Sequence, residues 1–180
     1  MNDEQTIEHP WEPEPIPAER FHQPDEPWAN INRAPYDEVS GVIFKRAAHI
    51  QRVRYTPADP APEMPPAYQG SGEAVVRWLF SEQTGTEERL LAGATLAFLH
   101  DTTLAPEAST GMQAHPDTDE LFYTLSGSGE LRHRPTPGSP VIVRPLRPGD
   151  AALVRGGEYH SIANRGAEPL RLLVIGLKRP

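Results

Sequence analysis

The stretch that most constrains this chain is residues 112–131, Met-Gln-Ala-His-Pro-Asp-Thr-Asp-Glu-Leu-Phe-Tyr-Thr-Leu-Ser-Gly-Ser-Gly-Glu-Leu. Gln113 and His115 are two residues apart, so on a strand they share a face. Pro116, Asp117, Thr118 and Asp119 are turn formers and end that strand. The run 120–125 is rich in aromatic and β-branched residues and reads as a strand. Gly127-Ser128-Gly129 is a second turn, after which 130–133 returns as another strand. An amide, an imidazole and a carboxylate therefore stand at adjoining strand ends.

A second stretch complements the first. Arg147-Pro148-Gly149-Asp150 is a turn, 151–154 a short apolar strand, 155–158 a further turn, and a strand opens at His160 and reaches Asn164. His115, Glu120 and His160 make a two-histidine, one-carboxylate set, the set with open positions that is typical of non-haem iron(II) oxygenases.

Together the two stretches resemble the cupin family, whose first motif is written G-x5-H-x-H-x3,4-E-x6-G and whose second is G-x5-P-x-G-x2-H-x3-N. In the first, Gly127, Glu120 and His115 fall on the last Gly, the Glu and the second His, while Gln113 stands at the first His and Glu107 at the first Gly. In the second, Gly149, Gly157, His160 and Asn164 match, with Arg155 in place of Pro. The resemblance covers about residues 77–177 and implies one all-β, jelly-roll barrel. It implies a divalent transition metal held by His115, Glu120 and His160, with Gln113 as a weaker amide donor. Iron(II) is favoured, and zinc, nickel, manganese or copper would also suit such ligands. Cupins carry many chemistries, so the fold is better specified than the reaction. Some polyketide cyclases of the family use a glutamine among their ligands, and Gln113 looks similar.

Composition narrows the classes. The chain has 180 residues and no cysteine, which excludes disulfides and thiolate sites and fits one domain plus an arm. No apolar run is long enough for a membrane helix, and the N-terminus lacks a signal pattern, so a cytoplasmic location is expected. The formal charge of −8 sits in residues 1–40, where ten acidic residues face Arg20 and Arg33, and residues 41–180 are neutral. No basic stripe suits a phosphate backbone, which argues against nucleic acid, and nothing points to a membrane.

The expected organisation is an acidic, Pro-rich arm over 1–40, a pre-barrel segment and Pro-rich connector over 41–72, and a cupin barrel over 73–180. Trp11, Ile16, Phe21 and Trp28 punctuate the arm and would anchor it on another surface. Short strands are read at 42–44, 74–81, 94–102, 141–143 and 170–177, with a brief run at 89–91 and loose alternation over 47–55. With Glu120 pointing inward, Phe122 and Thr124 do so too, and Leu121, Tyr123 and Leu125 point out. That apolar outer face calls for a cover: the arm, the pre-barrel segment, or a second copy in a homodimer.

His160, Ile162 and Asn164 share a face. Phe122, Thr124, Ile162 and Asn164 are therefore expected to line the site, with Arg77 as a further substrate contact and His100 as a base behind the ligands. His9, His22, His49 and His133 have no spacing that ties them to it. The expected role is a metal-dependent enzyme on a small organic molecule, with an oxygenase slightly favoured over non-redox Lewis-acid chemistry such as a cyclase, isomerase or lyase. A non-catalytic binding protein is the third reading.

Overall fold

The computed structural model describes residues 16–17, 36–39, 42–45, 50, 52–55, 70–81 and 91–180. Most of the expected arm, with Trp11, Phe21 and Trp28, lies outside these residues, as do the connector at 56–69 and all but Leu91 of the run at 89–91.

Twelve strands are defined in chain order: β1 (Ile16–Pro17), β2 (Tyr36–Val39), β3 (Val42–Lys45), β4 (Arg52–Tyr55), β5 (Ala74–Ser81), β6 (Leu96–Leu104), β7 (Thr118–Ser126), β8 (Gly129–Arg134), β9 (Ile142–Leu146), β10 (Ala151–Val154), β11 (Tyr159–Asn164) and β12 (Leu170–Lys178). They form a seven-stranded sheet in the order β1-β4-β5-β6-β12-β7-β10, a three-stranded sheet β11-β8-β9 and a hairpin β2-β3. Neighbours β6, β12, β7 and β10 are antiparallel, and the chain crosses between the two larger sheets, as in a jelly roll. β4 pairs with β5, and β1 lies parallel to β4, so the large sheet begins upstream of the barrel motifs.

Three turns explain the strand breaks. Ala108 N–H donates to the Ala105 carbonyl at 3.1 Å, closing a turn with Pro106 at its second position. Glu107 is the third residue and has φ +62°, the left-handed conformation that this turn type demands. That is why the family pattern has Gly there. Gly127, with φ +77°, ends β7; a Cβ on it would collide with the Pro169 carbonyl oxygen. Asp150 caps the 147–150 turn by accepting the Arg147 N–H at 2.8 Å.

The expected strand through Gln113 and His115 is reduced to one bridge, Gln113 opposite His160, with N–H to O distances of 2.9 and 2.8 Å. Pro116 follows too soon for a longer ladder, since it has no N–H to give.

Alternation places the core. Along β7, Glu120, Phe122 and Thr124 are buried while Tyr123 is exposed. Register aligns Trp78, His100, Val174, Phe122 and Ala152 across the large sheet, all on its inner face. Leu104, Leu131, Leu146, Ile162, Leu170 and Leu172 fill one end of the barrel with a continuous apolar cluster. Burying side chains of this size stabilises by about 1.5–3 kcal/mol each. The other end carries the polar groups. Among the described residues no helix is long and apolar enough to cross a membrane.

Candidate metal centre

Three side chains from three separate segments converge at that polar end. Glu120 comes from β7, His160 from β11, and His115 from the segment before β7; one ligand atom from each lies within 4.8 Å of the others. His115 Nε2 is 3.6 Å from Glu120 Oε1, and His160 Nε2 is 2.6 Å from Glu120 Oε2. Glu120 and His160 are almost wholly buried, whereas the His115 side chain is 42% exposed, so the group opens to solvent on the His115 side.

The short Glu120–His160 contact leaves both atoms facing each other across 2.6 Å. Glu120 Oε2, His160 Nδ1 and His160 Nε2 are buried atoms without an aligned hydrogen-bond partner. Leaving such atoms unsatisfied costs about 1–3 kcal/mol each, more for a charged group. Three donor atoms gathered within 4.8 Å of one another are what a cation needs. The donor set, two imidazoles and a carboxylate, suits a first-row divalent ion, so the residues present fit such a group.

The frame around the ligands is rigid. Asp119, next to Glu120, accepts the Gly156 N–H at 2.7 Å and an Arg155 guanidinium N–H at 2.8 Å. These bonds, with Arg179 also near, hold its carboxyl below the usual range. Gly157 N–H donates to the His115 carbonyl at 3.0 Å, and Arg179 N–H to the Asp117 carbonyl at 3.0 Å. The turn at 155–158 is thus tied to both strand ends that bear ligands. Phe122 meets the His160 ring edge-on, centroids 5.5 Å apart, and fixes its plane.

The other expected site residues fall into distinct places. Gln113 is exposed, and being directly opposite His160 it projects from the same face, at the rim. His100 lies in the barrel wall, stacked on Trp78 at 4.8 Å and Phe98 at 4.4 Å. Phe98 can lie there because residue 176 is Gly; any Cβ would strike its ring. Burial lowers the His100 pKa to about 4 against an opposing pull from Glu120, so the ring is neutral, and its Nε2 has no partner. Phe122 and Ile162 are buried, and both belong to the apolar cluster.

Three expectations are corrected. Arg77 does not face the barrel interior: on β5 it is the register partner of Asp101, one residue out of step with inward Trp78, and faces away, 3.7 Å from the Asp101 carboxylate. Asp101 is itself held by Arg171 at 2.8 and 2.7 Å. Asn164 is four residues from His160, about 13 Å along a strand. Its amide nitrogen donates to the carbonyls of Leu104, Ala105 and Glu168, and its oxygen accepts the Gly166 N–H at 2.8 Å, so it fastens loops and has nothing left for a substrate. Thr124 is equally far from Glu120 and lies at the apolar end, opposite Leu172. Shared face was legible in the sequence; depth along the barrel was not.

One residue was missed. His133 is the cross-strand partner of His160 and shares its face. The sequence shows a strand at 130–133, but nothing local in it shows which residue of 160–164 that strand pairs with.

Comparison with known proteins places this architecture. The family model for the cupin domain matches residues 100–176. An oxalate-binding protein of Thermotoga maritima is 30% identical over 107 residues, 59% of this chain and 77% of that protein. The tetracenomycin polyketide synthase protein TcmJ of Streptomyces glaucescens is 35% identical over 95 residues, 51% of this chain and 60% of that protein. Among solved structures, a predicted oxalate decarboxylase from Thermotoga maritima superposes with a TM-score of 0.55 at 24% identity, covering 74% of this chain and 97% of that one, and shares the fold.

Proposed function

We propose, for a chain that belongs to the cupin family, that the barrel is a metal-dependent enzyme acting on a small organic molecule bound through its oxygen atoms. The observation that carries this reading is the convergence of one ligand atom each from His115, Glu120 and His160 within 4.8 Å, with Glu120 and His160 buried and His115 facing solvent. A divalent ion held there supplies Lewis acidity, and iron(II) adds redox capacity. His115, Glu120 and His160 would hold it, and Gln113 at the rim is placed to add an amide oxygen.

The chain's own residues then do four things. Glu120 offsets the positive charge and keeps one carboxylate oxygen in the barrel as a proton acceptor. Phe122 and Ile162 close the floor beneath the ligands and exclude water. Trp78 and Phe98 clamp the His100 ring so that it cannot turn. His100, neutral at ordinary pH, is placed to exchange a hydrogen bond with a substrate through its unpartnered Nε2.

The two-imidazole, one-carboxylate set favours oxygenase chemistry with iron(II). The similarity to a polyketide synthase protein supports a second reading, non-redox catalysis of the cyclase, isomerase or lyase type. The relative named for oxalate binding supports a third, binding without turnover. Stripped protein reloaded separately with iron(II), zinc, manganese, nickel or copper, and offered oxalate and aromatic polyketides, separates them. Oxygen uptake with iron alone is the expected result. Product without oxygen uptake favours the second reading, and binding without product under every ion overturns the enzyme. We also propose a homodimer, because Tyr123 and Leu153 on the outer face are 41% and 45% exposed; light scattering tests it.

A further inference from the structure

His133 and Glu158 stand beside the ligand group without belonging to it. His133 is the direct cross-strand partner of His160, so the two imidazoles leave adjacent strands on the same face, with Cβ atoms about 5 Å apart. The next strand continues the row with Ile142, and Gln113 precedes it on the other side of His160. Four inward or rim residues thus line one level of the small sheet: Gln113, His160, His133 and Ile142.

The His133 ring is held. Its Nε2 lies 2.9 Å from Glu158 Oε2, an acceptor that the Arg155 N–H also fixes at 3.2 Å. A carboxylate can only accept, so Nε2 carries the hydrogen and Nδ1 of the neutral ring is left as an acceptor. Nδ1 makes no hydrogen bond among the described residues, and the side chain is 22% exposed, open to solvent. This differs from His115 and His160, whose ring nitrogens converge with Glu120.

We infer that His133, oriented by Glu158, is a specificity-determining residue of the same site, whose Nδ1 accepts a hydrogen bond from a hydroxyl of a substrate chelated through other oxygens. The inference rests on the metal-dependent reading above. It names the substrate class as an oxygen chelate bearing an additional free hydroxyl, such as a polyhydroxylated aromatic acid. Glu158 acts through His133 and is a positioning residue.

The test uses full-length, metal-loaded protein and calorimetric titration with salicylate and the 2,3-, 2,4-, 2,5- and 2,6-dihydroxybenzoates. Each can chelate through carboxylate and ortho hydroxyl, and the dihydroxy compounds offer one hydroxyl more. At least one isomer should bind about three- to tenfold more tightly than salicylate, the worth of one neutral hydrogen bond. That advantage should vanish in His133→Phe with metal content and salicylate affinity unchanged. It should fall in Glu158→Ala and return in Glu158→Gln, whose amide oxygen still accepts from Nε2. An advantage that persists in His133→Phe, or no advantage for any isomer while salicylate binds, overturns the inference and leaves the metal reading standing. Salicylate that fails to bind the metal-loaded protein at all counts against chelation itself and overturns both.

Discussion

The two ends of the barrel are built from the same strands and do opposite things. At one end Leu104, Ile162, Leu170 and Leu172 are fully or nearly fully buried among other aliphatic side chains, and even the polar Asn164 there has every hydrogen-bonding group spoken for. At the other end, on the same strands β7 and β11, Glu120 and His160 are as deeply buried but turn toward each other and toward His115. A fold satisfies the polar groups it buries; where ligand-type side chains from β7, from β11 and from the segment before β7 converge instead, that end is the functional one. The comparison teaches that burial alone does not separate core from site here, whereas the convergence of ligand-type side chains does.

The apolar end should carry the stability. Leu172→Ala, at a wholly buried position, should cost about 3–5 kcal/mol in chemical denaturation while the folded fraction keeps its metal. A loss of metal in step with stability would erase the division between the ends. The ligand end should add stability only when occupied. Chelation should lower the unfolding free energy of metal-loaded protein by about 3–4 kcal/mol at metal concentrations some hundreds to a thousand times Kd. The same treatment should leave His160→Ala unchanged, and an equal drop in that variant would show that metal binds elsewhere.

The wall between the ends gives a pH signature. Burial depresses the folded-state pKa of His100 from the ordinary 6.5 to about 4. The unfolded chain therefore takes up a proton first as pH falls. Above about pH 6.5 the group has no effect; between about 6.5 and 4 it progressively destabilises, by up to ~3 kcal/mol below pH 4. His100→Phe should remove that part of the acid loss, seen as a smaller difference in unfolding free energy between pH 7 and pH 4.5. Equal pH dependence in the two proteins would place a charged or solvated ring at position 100.

The smallest effect is at the Glu107 turn. Glu107→Gly should stabilise by about 1 kcal/mol, because a left-handed φ of +62° disfavours any side chain. A destabilisation would mean that the distant Arg165 contact, 3.8 Å from its carboxylate, outweighs backbone strain.

Much of this division was legible in the sequence. The period-two pattern of 120–125 gave the inward face of β7, and the spacing of His115, Glu120 and His160 matched a ligand set that the fold gathers at one end. What was not legible depends on register and depth. Arg77 looked like a candidate for the interior until pairing with Asp101 put it outside, opposite in phase to Trp78. Thr124 and Asn164 share faces with the ligands but lie about four residues too deep, a distance that face alone does not report. His133 was set aside because no local spacing links it to His160; only the β8–β11 register does. The expected strand at 113–115 shrank to one bridge because Pro116 cuts short the ladder that alternation alone would have allowed.

The most direct test is metal content by elemental analysis, on untagged protein purified without chelator, beside Glu120→Ala and His160→Ala. Near one divalent transition-metal ion per chain in the parent, lost in both folded variants, is the predicted result. Full occupancy in either variant, or no metal in the parent after anaerobic reloading, would contradict the assignment of the ligand end of the barrel as a metal centre.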